Sequence, residues 1–462
     1  MKQRKLDPIE ETIEKIPEYK SFKTVDELDE SIFRLRDKYP DLVEVFNAGK
    51  TRAGETIYAV KIGKGKLNAL LFGCPHPNEP IGTLMLDYLL WRLAEYEDLR
   101  NLFNYTFHVV VVADKDGLRL NEGWLKGPFT ILNYAMNYYR PAGNKQVEWT
   151  FPIKYKNLEF NDPLPETRAL MNIIEEKHPD FIYSLHNAGF GGVYYYITAE
   201  APLLYPIYRY YPTLHNVPLA LGEAEVPYAK KLSEAIYYMI STPEYYDYLE
   251  KHAEKDPSEI IKTGTDSFDY SRKYNPDVFE LVTEVPYFYD RRIEDESPTD
   301  IKRRKAFLES IEEDKKEYKY RLNIYNKVKD KLKLNTRFQE TLEYYLTVFP
   351  DAIKAMEKWV KTAEELDRKA TVAEAFDVYQ VSKFYRILGL GNIRRMLKEE
   401  IEAGGDGVLE TVLKEVEEEM SRRAEIVEEE LEYQVIPIKK LVTIQLAAGL
   451  YTMLYLEEKK AR

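Results

Sequence analysis

The chain has 462 residues, a formal net charge of -13 and one cysteine, Cys74. The acidic balance excludes a general binder of nucleic acid or of anionic membranes, since phosphate neutralisation needs clustered Lys and Arg. A single cysteine excludes an intramolecular disulfide, and MKQRKLDPIEETIEKI has no apolar signal core, so a reducing, cytoplasmic compartment is expected, with the Glu- and Lys-rich composition leaning toward a thermophile.

From about Lys23 to Leu93 helical and strand patterns alternate. TVDELDESIFRLRDKYP has helical spacing, LVEVFNAG and TIYAVKIG alternate as strands, LNALLFG is a short buried run, and a helix follows from Ile81. Further along, FHVVVVAD, FIYSLH, GVYYYIT and FELVTEV read as strands, with helical patterns such as ETRALMNIIEEKH between some of them. This alternation predicts an α/β domain with a mixed, mostly parallel sheet flanked by helices.

After Pro286 the texture changes. From about Asp300 the pattern is almost entirely helical and rich in Glu, Lys, Leu and Arg, with breaks expected near Phe349-Pro350, Gly389-Leu390-Gly391 and Gly404-Gly405. The predicted division is a catalytic domain over 1–335 and a C-terminal helical bundle over 336–462. LVTIQLAAGLYTMLYL is the most apolar stretch, and it falls short of the ~20 residues that span a bilayer.

The octet GCPHPNEP, Gly73 to Pro80, joins the LNALLFG strand to the helix from Ile81. A His-x-x-Glu pair on its own is weak, because chance produces it readily. Its context is stronger: Pro77 biases His76 away from helix, which leaves it on a loop past the strand end. Pro80 suits the first turn of the next helix and sets Glu79 near its N-cap. Both side chains then face the C-terminal edge of a sheet, where α/β folds bind ligands.

A catalytic zinc commonly takes three protein ligands, frequently two His and one Glu. Among His108, His178, His186, His215 and His252, only His186 closes a strand, FIYSLH, and opens a permissive loop, NAGFGG. A carboxylate for proton transfer comes from FELVTEVPYFYD, which carries Glu280 and Glu284, the latter at the strand's C-terminal end. The tyrosine clusters YYYIT and YPIYRYYPT read as packing or as the wall of an aromatic pocket.

In order, HPNE, ADKDG, PETRAL, SLH and VTEVP resemble the zinc carboxypeptidase family, the metallopeptidases built like carboxypeptidase A. The resemblance covers about residues 25–330. It implies that His76, Glu79 and His186 hold one zinc ion and that Glu284 is the general base. It also implies a substrate pocket at Ser267-Phe268-Asp269-Tyr270, in which Phe268 and Asp269 contact substrate.

The family's Asn-Arg pair, which grips a peptide's terminal carboxylate, is replaced by Glu148-Trp149-Thr150-Phe151-Pro152, and its Trp-Arg-Lys is matched by Trp124-Leu125-Lys126. Neither arginine is in place, so either Arg140 or Lys126, with Arg119, Arg168 and Arg272 as further candidates, supplies the cation from a shifted position, or the substrate has no free α-carboxylate at that point. Gln146 or Glu148 stands where the family aims an Asp at its first zinc histidine, a partner that would orient the ring.

The expected activity is therefore zinc-dependent hydrolysis of a peptide or amide bond with non-standard substrate recognition. A deacylase of the aspartoacylase or succinylglutamate-desuccinylase type is one alternative, and a zinc-containing scaffold without turnover is another. The expected partner is a peptide or small amide, with neither nucleic acid nor membrane, and the helical tail offers a means of homo-oligomerisation.

Overall fold

A computed structural model describes residues 7–460. In chain order the strands are β1 (Val43–Lys50), β2 (Thr56–Ile62), β3 (Leu67–Gly73), β4 (Tyr105–Val110), β5 (Ile153–Tyr155), β6 (Leu158–Phe160), β7 (Phe181–His186), β8 (Tyr194–Ile197), β9 (Lys231–Ser233), β10 (Ile236–Tyr238) and β11 (Phe279–Glu284). All but the β5–β6 hairpin join one nine-stranded sheet of order β1-β2-β4-β3-β7-β11-β8-β10-β9. The expected mixed sheet is present, and its centre is parallel: β4, β3, β7 and β11 run the same way. Strands β7 and β11 are buried at every residue, as a sheet covered on both faces requires.

The first long helix, Val25–Lys38, is closed by a capping box between Thr24 and Glu27, which satisfies unpaired amides at the helix start. On one face of the sheet it lies with helix Ile81–Glu95, and helix Pro165–Lys177 covers the other.

Two of the three expected breaks are absent. Pro350 lies inside helix Arg337–Thr362, and Gly389-Leu390-Gly391 lies inside helix Ser382–Glu402. Gly391 serves packing: a Cβ there would stand 1.9 Å from the Ala135 carbonyl oxygen, so the glycine lets this helix approach helix Ile131–Asn137. Gly404 does end a helix, at φ +89°, in the left-handed region that favours glycine.

The boundary drawn at 335/336 falls between helices Arg303–Val328 and Arg337–Thr362, which pack on each other. It does not separate two cores. Strand β12 (Phe288–Tyr289) pairs with β15 (Gln434–Val435), and β13 (Pro298–Lys302) pairs with β14 (Lys369–Thr371). The apolar stretch LVTIQLAAGLYTMLYL forms most of helix Ile438–Lys460, in which Leu441, Val442, Ile444, Leu446, Leu450, Met453 and Leu454 are each at most 1% exposed. A helix apolar on all sides belongs in an interior, and this one packs against helix Ile81–Glu95 and the sheet. No helix among the described residues is long and apolar enough to cross a membrane.

Candidate metal centre and its cleft

Three adjacent parallel strands deliver the polar residues to one edge. In register, Gly73 of β3 lies beside Leu185 of β7, and His186 of β7 lies beside Glu284 of β11. The octet turns sharply after β3: Cys74 takes φ +55°, a conformation that costs a non-glycine residue of order 1–3 kcal/mol. The Glu79 amide donates to the His76 carbonyl at 3.0 Å, and this turn sets the two side chains side by side. The Cys74 thiol is buried, which pushes its pKa well up.

His76 Nδ1, His186 Nδ1 and Glu79 Oε2 converge, with separations of 3.1 Å between the nitrogens and 3.2 and 3.0 Å from them to the carboxylate. All three residues are buried. Ligands about 2.0–2.1 Å from a tetrahedral zinc stand about 3.3 Å apart, so the donor set fits that ion. Arg140 donates to His76 Nδ1 at 3.0 Å and to Glu79 Oε1 at 2.7 Å, so that ring nitrogen carries no proton. Burial first, then Arg140, brings the His76 pKa down to about 3, which keeps the ring neutral as a metal ligand requires. Burial opposes the Glu79 charge, yet His76, Arg140 and His186 together hold its carboxyl well below the usual range.

His186 is held from behind. Its Nε2 meets Ser184 Oγ at 2.7 Å, and Ser184 Oγ lies 3.2 Å from Glu148 Oε2. Gln445, on the last helix, donates to the His186 carbonyl at 2.9 Å. Glu148 therefore reaches the second histidine through Ser184, whereas the sequence reading set it at the first. His76 Nε2 is buried without a hydrogen-bond partner.

Glu284 Oε1 stands 3.9 Å from His186 Nδ1, and Oε2 has no hydrogen-bond partner. Burial, then Glu79 and Glu225, push its pKa well up, with Arg140 opposing. Arg140, Tyr196, Glu225 and Glu284 line both of two cavities, each of about 460 Å³. One extends past His76 and His186 toward Glu148, and the other runs past Glu79 and Asn187 under the helical half, where Asp377 and Tyr385 wall it.

A sequence model of the zinc carboxypeptidase family matches residues 28–286, more than half of the chain. The chain belongs to the zinc carboxypeptidase family. Similar solved structures include carboxypeptidase A from Helicoverpa armigera, at 16% identity over 62% of this chain and 71% of that one, TM-score 0.35. Bovine thrombin-activatable fibrinolysis inhibitor is similar at 14% identity over 57% and 86%, TM-score 0.37. No curated protein matches the sequence.

For a zinc carboxypeptidase family member the substrate-side residues are rearranged. Lys126 lies away from the cleft: its Nζ donates to Glu27 Oε2 at 2.6 Å and to the Phe22 carbonyl at 2.9 Å. Arg119 is taken by Glu55 and Asp26, and Arg272 lies over the Phe268 ring. Phe268 packs into the core on the helix Pro165–Lys177 face, and Asp269 accepts from Thr265 Oγ1 at 2.7 Å; neither lines either cavity. The neighbouring Asp266 does, as do Glu280, Glu225 and Tyr385. Glu280 is the residue that strand period could have found, since four residues from Glu284 it shares that face. Tyr385 carries no local signal, because it comes from a helix far along the chain.

Tyr194 and Tyr196 both donate to Glu225, the first at 2.5 Å and the second at 2.9 Å, whereas Tyr195 points the other way and stacks on Tyr208. The YYYI run thus divides between pocket wall and core.

Asp377 accepts from the Glu223 amide at 2.9 Å. Its pKa is pushed up to about 7 by burial, with Glu223 and Glu225 adding to the effect. The folded protein holds this proton more tightly than the unfolded chain, whose aspartate titrates near about 3.9. Its contribution to stability therefore declines as pH rises from about 4 to about 7 and is level above. Asp377→Asn keeps the acceptor and removes the titration, so the variant gains on the parent between pH 4.5 and pH 8 in thermal melts. A constant difference in Tm across that range would refute the assignment.

Proposed function

We propose that this protein is a zinc-dependent hydrolase that cleaves a peptide or amide bond in the cleft. The observation that carries the reading is the convergence of His76, Glu79 and His186 beside a free carboxylate, Glu284, at the ends of three adjacent strands. Zinc on these donors supplies Lewis acidity and acidifies water.

The chain's own residues do the rest. Glu284, ionised, accepts a proton from the attacking water at its carboxylate and returns it to the leaving nitrogen. Arg140 is the one arginine or lysine among the described residues lining the two cavities, and its guanidinium offers N–H groups to the oxygen on which negative charge develops. Ser184, Glu148 and Gln445 keep the His186 ring and backbone in place.

Deacylation of a small amide is a second reading, favoured by the helical half closing over one side of the cleft. There Tyr385 Oη accepts from the Gly189 amide at 3.3 Å, and Phe384 packs against Phe190. Metal analysis combined with a panel of peptides, C-terminally amidated peptides and N-acyl amino acids tests the proposal. One zinc per chain is expected, with hydrolysis of at least one class, lost on chelation and restored by zinc. A protein that holds one zinc and hydrolyses none of the panel would instead be a scaffold.

A further inference from the structure

One charged residue of the cleft takes no part in metal binding or proton transfer. Among the described residues only Arg140, Tyr196, Glu225 and Glu284 line both cavities, so these four surround the junction where the cavities meet. Glu284 moves the proton, and the Arg140 guanidinium already donates to Glu79, His76 and Gln146. Tyr196 donates to Glu225. The Glu225 carboxylate is left at the junction with no chemistry assigned to it.

Glu225 is fixed in place and still open to a ligand. Tyr194 Oη donates to its Oε1 at 2.5 Å and Tyr196 Oη to its Oε2 at 2.9 Å, and the residue is exposed. Two hydroxyls occupy two of the roughly four lone-pair positions of a carboxylate, and neither brings a positive charge. The loop that carries Glu225 is strapped to the helical half: the Glu223 carboxylate pairs with Arg303, and the Glu223 amide donates to Asp377 at 2.9 Å. Beyond the junction, Asn78 lines the cavity under the helical half; it is 4% exposed, and its Oδ1 is buried without a hydrogen-bond partner. Asp377 lines the same cavity. A carboxylate at the junction, then a bare amide oxygen and a second carboxylate, call for a ligand with N–H donors and positive charge.

We propose that Glu225 anchors the free α-ammonium of the substrate's acyl residue, so that the protein acts on dipeptides and aminoacyl amides. The inference rests on the hydrolase reading and names its substrate class. In an α-aminoacyl group the nitrogen stands two bonds, about 2.5 Å, from the scissile carbonyl carbon. Its anchor must therefore face the junction, and apart from the proton-transfer group Glu284 only Glu225 offers a carboxylate there. Tyr194, Tyr196 and Tyr385 line the cavity beside it, and aromatic faces attract an ammonium. A cavity of about 460 Å³ walled by Asp377 and Tyr385 has the dimensions of a small-molecule site, which suits one acyl residue better than a polypeptide.

A second metal ion is the poorer occupant. Among the described residues the convergent group of metal-ligating atoms is His76, Glu79 and His186, and Glu225 stands outside it.

The test pairs each alanyl dipeptide of a panel with its propionyl analogue, which lacks only the amino group, and with its N-acetylalanyl analogue, which lacks the charge. At pH 7 the α-amino group, with a pKa of about 7.7–8.0, is protonated. Zinc-loaded protein is expected to favour the alanyl compounds at least about tenfold in kcat/KM, the low end for a hydrogen bond to a charged group. Glu225→Gln, which keeps one acceptor oxygen for the tyrosines, should abolish that preference with zinc content at the parent value.

Propionyl or N-acetylalanyl compounds cleaved as fast as alanyl ones would overturn the proposal and leave the hydrolase reading intact. A preference that survives Glu225→Gln would assign the amine to another group, the zinc included, and overturn it too. If no compound is cleaved, calorimetry on the zinc-loaded protein decides with alanine amide and propionamide. Tighter binding of alanine amide that Glu225→Gln removes upholds the anchor without the reaction; equal binding, or a difference that the variant retains, overturns it.

Discussion

Glu284→Gln is expected to lower turnover by about a thousandfold or more, within the range that general acid–base groups contribute, while zinc content stays at the parent value. The carboxylate stands at the end of β11 beside His186, 3.9 Å from its Nδ1, and belongs to the cleft without being one of the three converging donors. Glutamine keeps the volume and one acceptor oxygen but cannot take up the water's proton. Metal analysis alongside kcat separates the roles: full zinc with lost turnover is the signature of a proton-transfer group. Turnover within tenfold of the parent would remove Glu284 from the mechanism, and loss of zinc would make it a ligand.

A chain ending at residue 335 is expected not to fold. Seven side chains of helix Ile438–Lys460, from Leu441 to Leu454, are at most 1% exposed and cover helix Ile81–Glu95 and the sheet. At about 1.5–3 kcal/mol for each buried side chain, their loss exceeds about 10 kcal/mol, against a net stability of about 5–15 kcal/mol for an ordinary domain. The truncation also exposes Tyr183, whose hydroxyl donates to the Gln445 carbonyl at 2.7 Å, and frees the His186 carbonyl from Gln445. Expression of residues 1–335 should give aggregated material without near-ultraviolet circular dichroism. A monomer that melts cooperatively and binds zinc would show that the first 335 residues suffice.

The two outcomes bear on one structural point. The helical half is continuous with the core that positions the metal donors, and it walls one cavity of the cleft through Asp377 and Tyr385. Its influence on activity therefore runs through His186 as well as through substrate access. Swapping Gln445 for a residue without a donor would disturb the ligand strand from the back, at a distance in sequence of 259 positions.

What the amino-acid sequence determined unaided was local. The short apolar runs LNALLFG, FIYSLH and FELVTEV mark three buried strands, the prolines of GCPHPNEP mark the turn that sets His76 beside Glu79, and the order of those segments matches the zinc carboxypeptidase family. These are properties of near neighbours, so they survive being read along a line. Tertiary structure decided the matters that depend on which distant surfaces meet. Arg140 reaches Glu79 across 61 positions and Lys126 is drawn off to Glu27, two cations that look alike in the sequence. Asp266 lines the cavity in place of Asp269, and Glu148 supports the second histidine instead of the first. The apolar run near the C-terminus became the interior helix under the site because the uncovered face of helix Ile81–Glu95 needed an apolar partner. Periodicity can show that a segment must be buried; what it is buried against is a property of the whole fold.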